Sequence, residues 1–387
     1  MSEEEIGGII TIGSFILGLI VWIYSKTAQP ASEAVKRGQA ASASGSGNKT
    51  KQVQKLVELG DVQFARGKVV EALGSFRRAF ELSKGLNEPA LEMMCAFRYA
   101  GQHRYLGQTE RAVKVYAEVT ELGENLGNVV YQMNSLYQIA RTFAEVDRFQ
   151  TAIEYFQQAL ELAENNNAPE MRAAVLNDLS EQLIVAGEAE AAVGNLQRVI
   201  KINESANYDS ASTNKMYNLF NLAFAYATLG KINQARQLMK ETKFSRLTKA
   251  KHDDYILIDW LYTRARVFQK LGNIKDAQGS CRQAVVIINR NGYENLLGHA
   301  NYYLGMLELE KWKRGKTPEH FLKHALKIAE KYGDVHFEAK SLVGLGRFYV
   351  KSGKRDKARE HLSKALPVLD RMQSAHGDNV RSLLATL

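Results

Sequence analysis

Aromatic and arginine side chains recur in pairs four residues apart, and no other residues in this sequence are better suited to molecular recognition. Tyr137 and Arg141 form one such pair, and Tyr262 and Arg266 form another. Residues four apart share one face of an α-helix, so each pair would present a ring beside a guanidinium. Side chains of these types are enriched in protein interaction surfaces. The pairs therefore predict binding of a peptide or protein that carries apolar and acidic groups.

Candidate catalytic and metal-binding groups are sparse by comparison. No glycine-rich phosphate loop follows a strand pattern, because Gly344 and Gly346 fall within a predicted helix. His320 and His324 are four residues apart, but nothing in the sequence supplies the third ligand that a zinc site needs. We therefore expect a protein that is not an enzyme and that uses no cofactor and no metal.

Pairs of amphipathic helices are the elements that would carry the recognition residues. Between Leu136 and Leu160, apolar residues recur every three or four positions in two halves, which a polar turn joins. The pattern returns eight times at intervals of about 40 residues, with a fixed turn position and a small residue near the end of each second helix. The turn positions are Gly67, Gly107, Asp147, Gly187, Gly230, Gly272, Gly315 and Gly353. The positions near the second-helix ends are Ala79, Val119, Ala159, Val199, Thr242, Ala284, Ala325 and Ala365. One such pair cannot bury its own apolar face, so copies must stack.

The segments Leu56–Phe80 and Leu342–Leu366 resemble tetratricopeptide repeats, through their Leu-Gly pairs, turn glycines and small-large-small second helices. The interval of about 40 residues exceeds the usual ~34 and is similar to that of the longer-helix subclass found in kinesin light chain and the Pins adaptor. The resemblance implies an all-α fold, a right-handed superhelical solenoid of about eight helical hairpins over residues 51–370. Residues 371–387 would then form a C-terminal cap or tail.

The same resemblance implies that the first helix of each pair lines an inner, concave wall that binds a peptide or a partner helix. Phe220 and Phe224 would be exposed anchors there, with Asn221 beside them to bond a peptide backbone, and the middle of the wall would carry most of the affinity. The full set of groove residues predicted in this way is Arg98, Arg104, Tyr137, Arg141, Asn177, Phe220, Asn221, Phe224, Tyr262, Arg266, Tyr302 and Arg347.

Positive charge is concentrated in the second half of the chain. Residues 1–200 carry 19 Lys/Arg against 24 Asp/Glu, whereas residues 201–387 carry 32 against 18, which makes the net charge +9. A predicted basic surface around Trp312 comprises Lys311, Lys313, Arg314 and Lys316. The charge of this half is compatible with binding to an acidic protein partner, to an anionic lipid surface at a membrane contact, or to RNA. It is equally compatible with a solvated basic surface that binds none of them. No DNA binding is expected, since no nucleic-acid motif is present.

The N-terminal region reads as a membrane anchor. Residues 1–5 form an acidic tail, and residues 6–25 carry no charge over a length that would span a bilayer. A cleaved signal peptide would instead begin with basic residues. Lysine and arginine follow the span, so the repeats would face the cytosol, tethered by a flexible linker at residues 26–50. This predicts a single-pass signal-anchor protein that recruits a partner to the mitochondrial outer membrane or the endoplasmic reticulum, with a bacterial inner membrane as an alternative.

Overall fold

The computed structural model describes residues 46–205, 211–242, 254–315 and 317–387. The predicted acidic tail (1–5), the predicted membrane span (6–25) and Lys316 of the predicted basic surface lie outside the described residues. The first helix begins at Ser46, inside the range 26–50 that the sequence predicts to be a flexible linker.

The described residues form seventeen helices and no strand, arranged as eight successive pairs followed by one final helix. In chain order they are α1 (Ser46–Ala65), α2 (Val69–Ser83), α3 (Pro89–Tyr105), α4 (Thr109–Asn125), α5 (Val129–Glu145), α6 (Phe149–Asn165), α7 (Pro169–Ala186), α8 (Ala189–Ser205), α9 (Ala211–Thr228), α10 (Ile232–Glu241), α11 (Asp254–Lys270), α12 (Ile274–Asn291), α13 (Glu294–Glu310), α14 (Thr317–Tyr332), α15 (Val335–Lys351), α16 (Arg355–Arg371) and α17 (His376–Ala385). Each odd-numbered helix up to α15 is the first helix of a repeat, and the following even-numbered helix is its second.

The turn inside each repeat falls where the sequence predicts it. All eight turn positions have a positive φ, a backbone conformation that favours glycine because it lacks a Cβ atom. Asp147, with φ of 60°, is the one turn position that is not glycine.

Small residues of the second helices are the centre of the packing. The alanines that open these helices are all fully buried, and so are the small residues near their ends in most repeats. In α6, for example, Ala152 and Ala159 are 0% exposed, and Phe156 fills the space between them at 1% exposed. This burial pattern confirms the predicted register of the repeats, because the same positions carry the core throughout.

Two glycines of first helices allow the closest approach to a second helix. A Cβ atom on Gly346 in α15 would lie 2.6 Å from Cγ of Leu362 in α16, and one on Gly60 in α1 would lie 2.6 Å from the Phe76 ring in α2. Leu362 and Phe76 are themselves buried, so neither can move aside freely. Glycine in these Leu-Gly pairs therefore serves helix packing.

The change Gly346→Ala should lower the free energy of unfolding by about 1–3 kcal/mol, because the added methyl overpacks the contact with Leu362. Gly279→Ala is a matched control within α12, where an added Cβ atom meets nothing within 4 Å. That control should raise the free energy of unfolding by about 0.5–1 kcal/mol. Urea unfolding followed by circular dichroism measures both, and equal effects of the two changes would contradict the packing argument.

The chain divides into two compact units. The first unit comprises residues 1–139 and 251–256, and the second comprises residues 140–250 and 257–387. In the first unit, α1 to α4 pack successively as two hairpins. In the second unit, most sequential neighbours pack in the same way, and first helices of adjacent repeats also touch, as α7 does with α9 and α13 with α15. This first-helix contact brings polar side chains of different repeats together.

The predicted membrane localisation is corrected by the structure. In the part of the chain that the structure describes, no helix combines the length and the apolar character needed to cross a bilayer. The second helices are amphipathic, with one face packed against neighbouring helices and the other carrying charge. The finding counts against the predicted single-pass membrane protein, and the span predicted at residues 6–25 lies outside the described residues.

Candidate functional site

The predicted groove residues fall into two classes of exposure. Half of them are buried, and the other half are partly exposed. The buried residues are Arg104, Tyr137, Asn177, Phe220, Asn221 and Phe224. The partly exposed residues are Arg98, Arg141, Tyr262, Arg266, Tyr302 and Arg347.

Phe220 and Phe224 of α9 are packing residues rather than exposed anchors. Phe220 is 0% exposed and Phe224 is 6% exposed. The guanidinium of Arg266 lies over the Phe224 ring, 4.4 Å from its centroid, and covers it. This corrects the prediction that the two phenylalanines present themselves to a ligand, because neither ring reaches solvent in this conformation.

The two arginines of the middle repeats are already paired with carboxylates of α7. Nε of Arg141 lies 3.6 Å from Oδ2 of Asp178. Arg266 donates from Nη1 to Oε1 of Glu181, and Tyr217 of α9 donates its hydroxyl to Oε2 of the same carboxylate at 3.5 Å. Burial alone would lower the pKa of Arg266, but the charge of Glu181 and the hydrogen bond to it hold that pKa above its ordinary value.

Two asparagines continue this network between first helices. Asn221 of α9 donates from Nδ2 to Oδ1 of Asn177 at 3.1 Å, and Asn177 donates to Oδ1 of Asp178 at 3.2 Å. Oδ1 of Asn221 is buried and accepts no hydrogen bond within the described residues. We call the set formed by Arg141, Asn177, Asp178, Glu181, Tyr217, Asn221 and Arg266 the inner cluster. It joins α5, α7, α9 and α11, the first helices of four successive repeats.

Asp178 is a member of the inner cluster that the sequence did not reveal as a groove residue, whereas the resemblance places Glu181 on the wall beside Asn177. The available signal was the spacing of three residues between Asp178 and Glu181, which places both carboxylates on one face of α7.

The predicted residues of the first unit are engaged locally. Arg98 of α3 contacts Oδ1 of Asp61 in α1 at 2.5 Å through Nη1. Burial raises the pKa of Asp61 even though Arg98 opposes that shift. The buried guanidinium of Arg104 lies 4.5 Å from the centroid of the neighbouring Tyr105 ring. Tyr137 is 1% exposed and belongs to the core.

Aromatic rings of the first helices pack together in the sixth and seventh repeats. The rings of Tyr262 and Tyr303 lie 5.4 Å apart, and Tyr302 packs edge-on against Phe337 of α15 at 5.7 Å. Burial raises the pKa of Tyr262, whose hydroxyl makes no hydrogen bond within the described residues. These rings form an apolar stretch of wall beyond the inner cluster.

Arg347 of α15 differs from the other predicted arginines. It is half-buried, and among the described residues no carboxylate lies within ion-pair distance of it.

The predicted basic surface forms an exposed turn after α13. Lys311, Lys313 and Arg314 are exposed there, while Trp312 packs edge-on against Phe348 at 5.3 Å and donates from Nε1 to the Gly315 carbonyl at 2.9 Å. Trp312 thus anchors the turn to α15.

Comparison with known families identifies the repeats. Models of the tetratricopeptide repeat match residues 92–165 and 339–366. The chain therefore contains tetratricopeptide repeats, as the resemblance implied. No curated protein sequence matched the chain.

Solved structures share the fold over most of the chain. One is a Rap protein complexed with Competence and Sporulation Factor, with 11% identity, 96% of this chain and 99% of that chain covered, and a TM-score of 0.64. Another is NprR in complex with its cognate peptide NprX, with 13% identity, 94% and 99% covered, and a TM-score of 0.62. Repeats of a putative kinesin light chain from Podosopora anserina match with 18% identity, 52% and 98% covered, and a TM-score of 0.44. At these identities the similarity to the Rap and NprR structures is one of fold, and the fold is that of a TPR-like solenoid.

Proposed function

We propose that this chain, built of tetratricopeptide-type repeats, is a scaffold that binds a peptide or an extended segment of a partner protein along the first helices of its second unit. The inner cluster is the observation that carries this proposal. It brings together charged and amide side chains of four successive first helices in two bonded groups, one formed by Arg141, Asp178, Asn177 and Asn221 and the other by Arg266, Glu181 and Tyr217. A non-enzymatic binding role is part of the proposal.

The inner cluster offers a ligand both signs of charge at partly exposed positions. The side chains of Arg141 and Asp178 are 23% and 15% exposed, and those of Arg266 and Glu181 are 20% and 25% exposed. Their mutual bonds hold each group in place before a ligand arrives, which reduces the ordering cost of binding. Such a surface suits a segment with alternating polar groups better than a purely apolar helix.

Buried amide groups between the first helices have unused bonding capacity. Oδ1 of Asn221 is an example, since a buried acceptor without a donor is costly. Asn221 is itself 0% exposed, so a peptide N–H would supply the missing donor only after α7 and α9 separate locally. Main-chain recognition of this kind binds extended peptides with little dependence on their sequence.

Proteins that share this fold support the same class of partner. The Rap structure is that of a complex with Competence and Sporulation Factor, and the NprR structure is that of a complex with its cognate peptide. The fold therefore accommodates peptide ligands in other proteins, and the inner cluster supplies the reason to propose it for this one.

Random short peptides displayed on phage and selected on the full chain test the proposal. We expect selected peptides to bind the full chain. Arg141→Gln should lower their affinity about ten-fold, since hydrogen bonds to charged groups contribute about 1.5–3 kcal/mol. Hydrogen exchange should show protection by the peptide in α7, α9 and α11.

Arg198→Gln is the matched control, because Arg198 pairs with Glu164 on exposed second helices at 2.6 Å. It should leave the affinity unchanged. Failure to select any binding peptide, or protection confined to second helices, would refute the proposed function.

A further inference from the structure

Asp147 is the one turn position inside a described repeat that is not glycine, and the local backbone does not explain it. Its φ of 60° lies where the other seven turn positions have glycine, and an aspartate there carries a steric cost that glycine avoids. The side chain is nevertheless retained in a buried place, with 8% of the residue exposed. The backbone of the turn therefore gains no stability from aspartate, so the reason for this residue lies in the contacts of its carboxylate.

The carboxylate of Asp147 reaches the last repeat, although 193 positions separate it from Lys340 in sequence. Oδ2 lies 3.1 Å from Nζ of Lys340 and 3.3 Å from Nε2 of His336, both on α15. Nε2 of His376 lies 3.4 Å away, and the Ala375 N–H donates to the Asp147 carbonyl at 3.3 Å. All of these residues belong to the second unit.

The contact is charged and only partly hydrogen-bonded, since Lys340 donates from Nζ to Oδ1 of Asp147 at 3.3 Å. Oδ2 of Asp147 and Nε2 of His336 are buried, yet neither forms a hydrogen bond of acceptable geometry. Burial alone would raise the pKa of Asp147, but the charge of Lys340 and the adjacent His336 and His376 hold it well below its ordinary value. The carboxylate is therefore ionised and held mainly by charge, so that another carboxylate can replace it.

His336, Lys340 and Arg347 form a stripe along one side of α15, spaced four and then seven residues apart. Asp147 covers only the first two. The charges of Lys340 and Arg347 both act on Tyr302 and on His376, whose pKa values are shifted chiefly by burial, so these groups share one environment. Of the two permanent cations in the stripe, Lys340 is paired with Asp147, and Arg347 has no carboxylate partner among the described residues.

We propose that the stripe on α15 is a subsite for a carboxylate of the bound peptide, and that Asp147 occupies part of it when no ligand is present. The subsite rests on the proposed function, and it assigns the ligand an acidic group at the end that lies against the last repeat. Asp147 itself shows the chemistry that the stripe takes, which is a carboxylate. A ligand carboxylate pairs first with Arg347 and then competes with Asp147 for Lys340.

Two pools of degenerate short peptides, both C-terminally amidated, test the proposal. They are identical except that one carries Glu and the other Gln at the same fixed positions. We expect the full chain to bind the Glu pool about ten-fold more tightly. Arg347→Gln should abolish that preference and leave the affinity for the Gln pool unchanged. Lys313→Gln, in the exposed turn after α13, is the control and should change neither affinity.

Asp147→Asn tests the competition, because asparagine tolerates a positive φ but carries no charge. It should raise the affinity for the Glu pool about three-fold or more and leave the Gln pool unaffected. Asp147→Gly provides a second variant, in which the turn regains the residue found in the other repeats. Adding free C-terminal carboxylates to the Gln pool distinguishes a terminal from a side-chain acid.

The outcomes separate the subsite from the proposed function. Equal binding of both pools by the wild-type chain would overturn the subsite while leaving peptide binding intact. Binding of neither pool would overturn both. A Glu preference that survives Arg347→Gln, or that Asp147→Asn and Asp147→Gly do not strengthen, would show that the stripe on α15 does not hold the ligand and that Asp147 is a structural link only.

Discussion

Replacing Phe220 with alanine should lower the free energy of unfolding by about 3–5 kcal/mol. The ring is 0% exposed and is one of the largest fully buried side chains in the described part of the chain. Its removal leaves a cavity that the closely packed first helices cannot fill. Urea unfolding followed by circular dichroism should therefore show a large shift of the transition.

Val286→Ala is the control for this change, because Val286 is a large apolar residue that is 67% exposed. Its effect should stay within about 0.5 kcal/mol. A folded Phe220→Ala variant with an unchanged transition, but with lost peptide binding, would contradict the core assignment and restore the interpretation of Phe220 as a ligand contact.

Replacing Glu181 with glutamine should have the second largest effect and lower the free energy of unfolding by about 3 kcal/mol. Its carboxylate neutralises Arg266 and accepts from Tyr217, and both donors are largely removed from solvent. Glutamine keeps the shape but leaves the guanidinium charge without its counterion. The loss should appear in hydrogen exchange as faster exchange in α7 and α11.

Glu164→Gln is the matched control on exposed second helices, where Glu164 and Arg198 are 42% and 48% exposed. Pairs of that kind contribute at most about 1 kcal/mol. The double change Glu181→Gln with Arg266→Met should recover part of the stability, since no charge is then left alone. A Glu181→Gln effect no larger than that of Glu164→Gln would show that the Arg266 pair is solvated.

The repeat register was predictable because it depends on residue volume at fixed intervals. Ala152 and Ala159 are 0% exposed where two helices close on each other, and their small volume allows that close approach. The turn at Gly187 has a positive φ, and the presence of glycine at that position predicts it. Both properties are local, so a single sequence contains them.

The exposure of the wall was not predictable in the same way. Phe220 and Arg266 both belong to first helices, yet one is core and the other partly exposed, because exposure depends on which neighbouring first helix covers each position. The partner of Arg266 lies two repeats away, and the partner of Asp147 lies in the last repeat. Pairings at such distances leave no periodic trace in the sequence. The apolar run at residues 6–25 invited a membrane assignment that the described helices do not support.

The bond between Arg266 and Glu181 skips a repeat, since α9 lies between α11 and α7 in chain order. When each repeat touches only its neighbours, folding free energy adds up locally, and a repeat array can fray from its ends one hairpin at a time. An ion pair that connects two hairpins across a third couples the unfolding equilibria of all three hairpins. Disorder in α9 would strain the ion pair between Arg266 and Glu181. Loss of that ion pair would in turn destabilise both α7 and α11. This stretch of the second unit is therefore expected to unfold as one cooperative block.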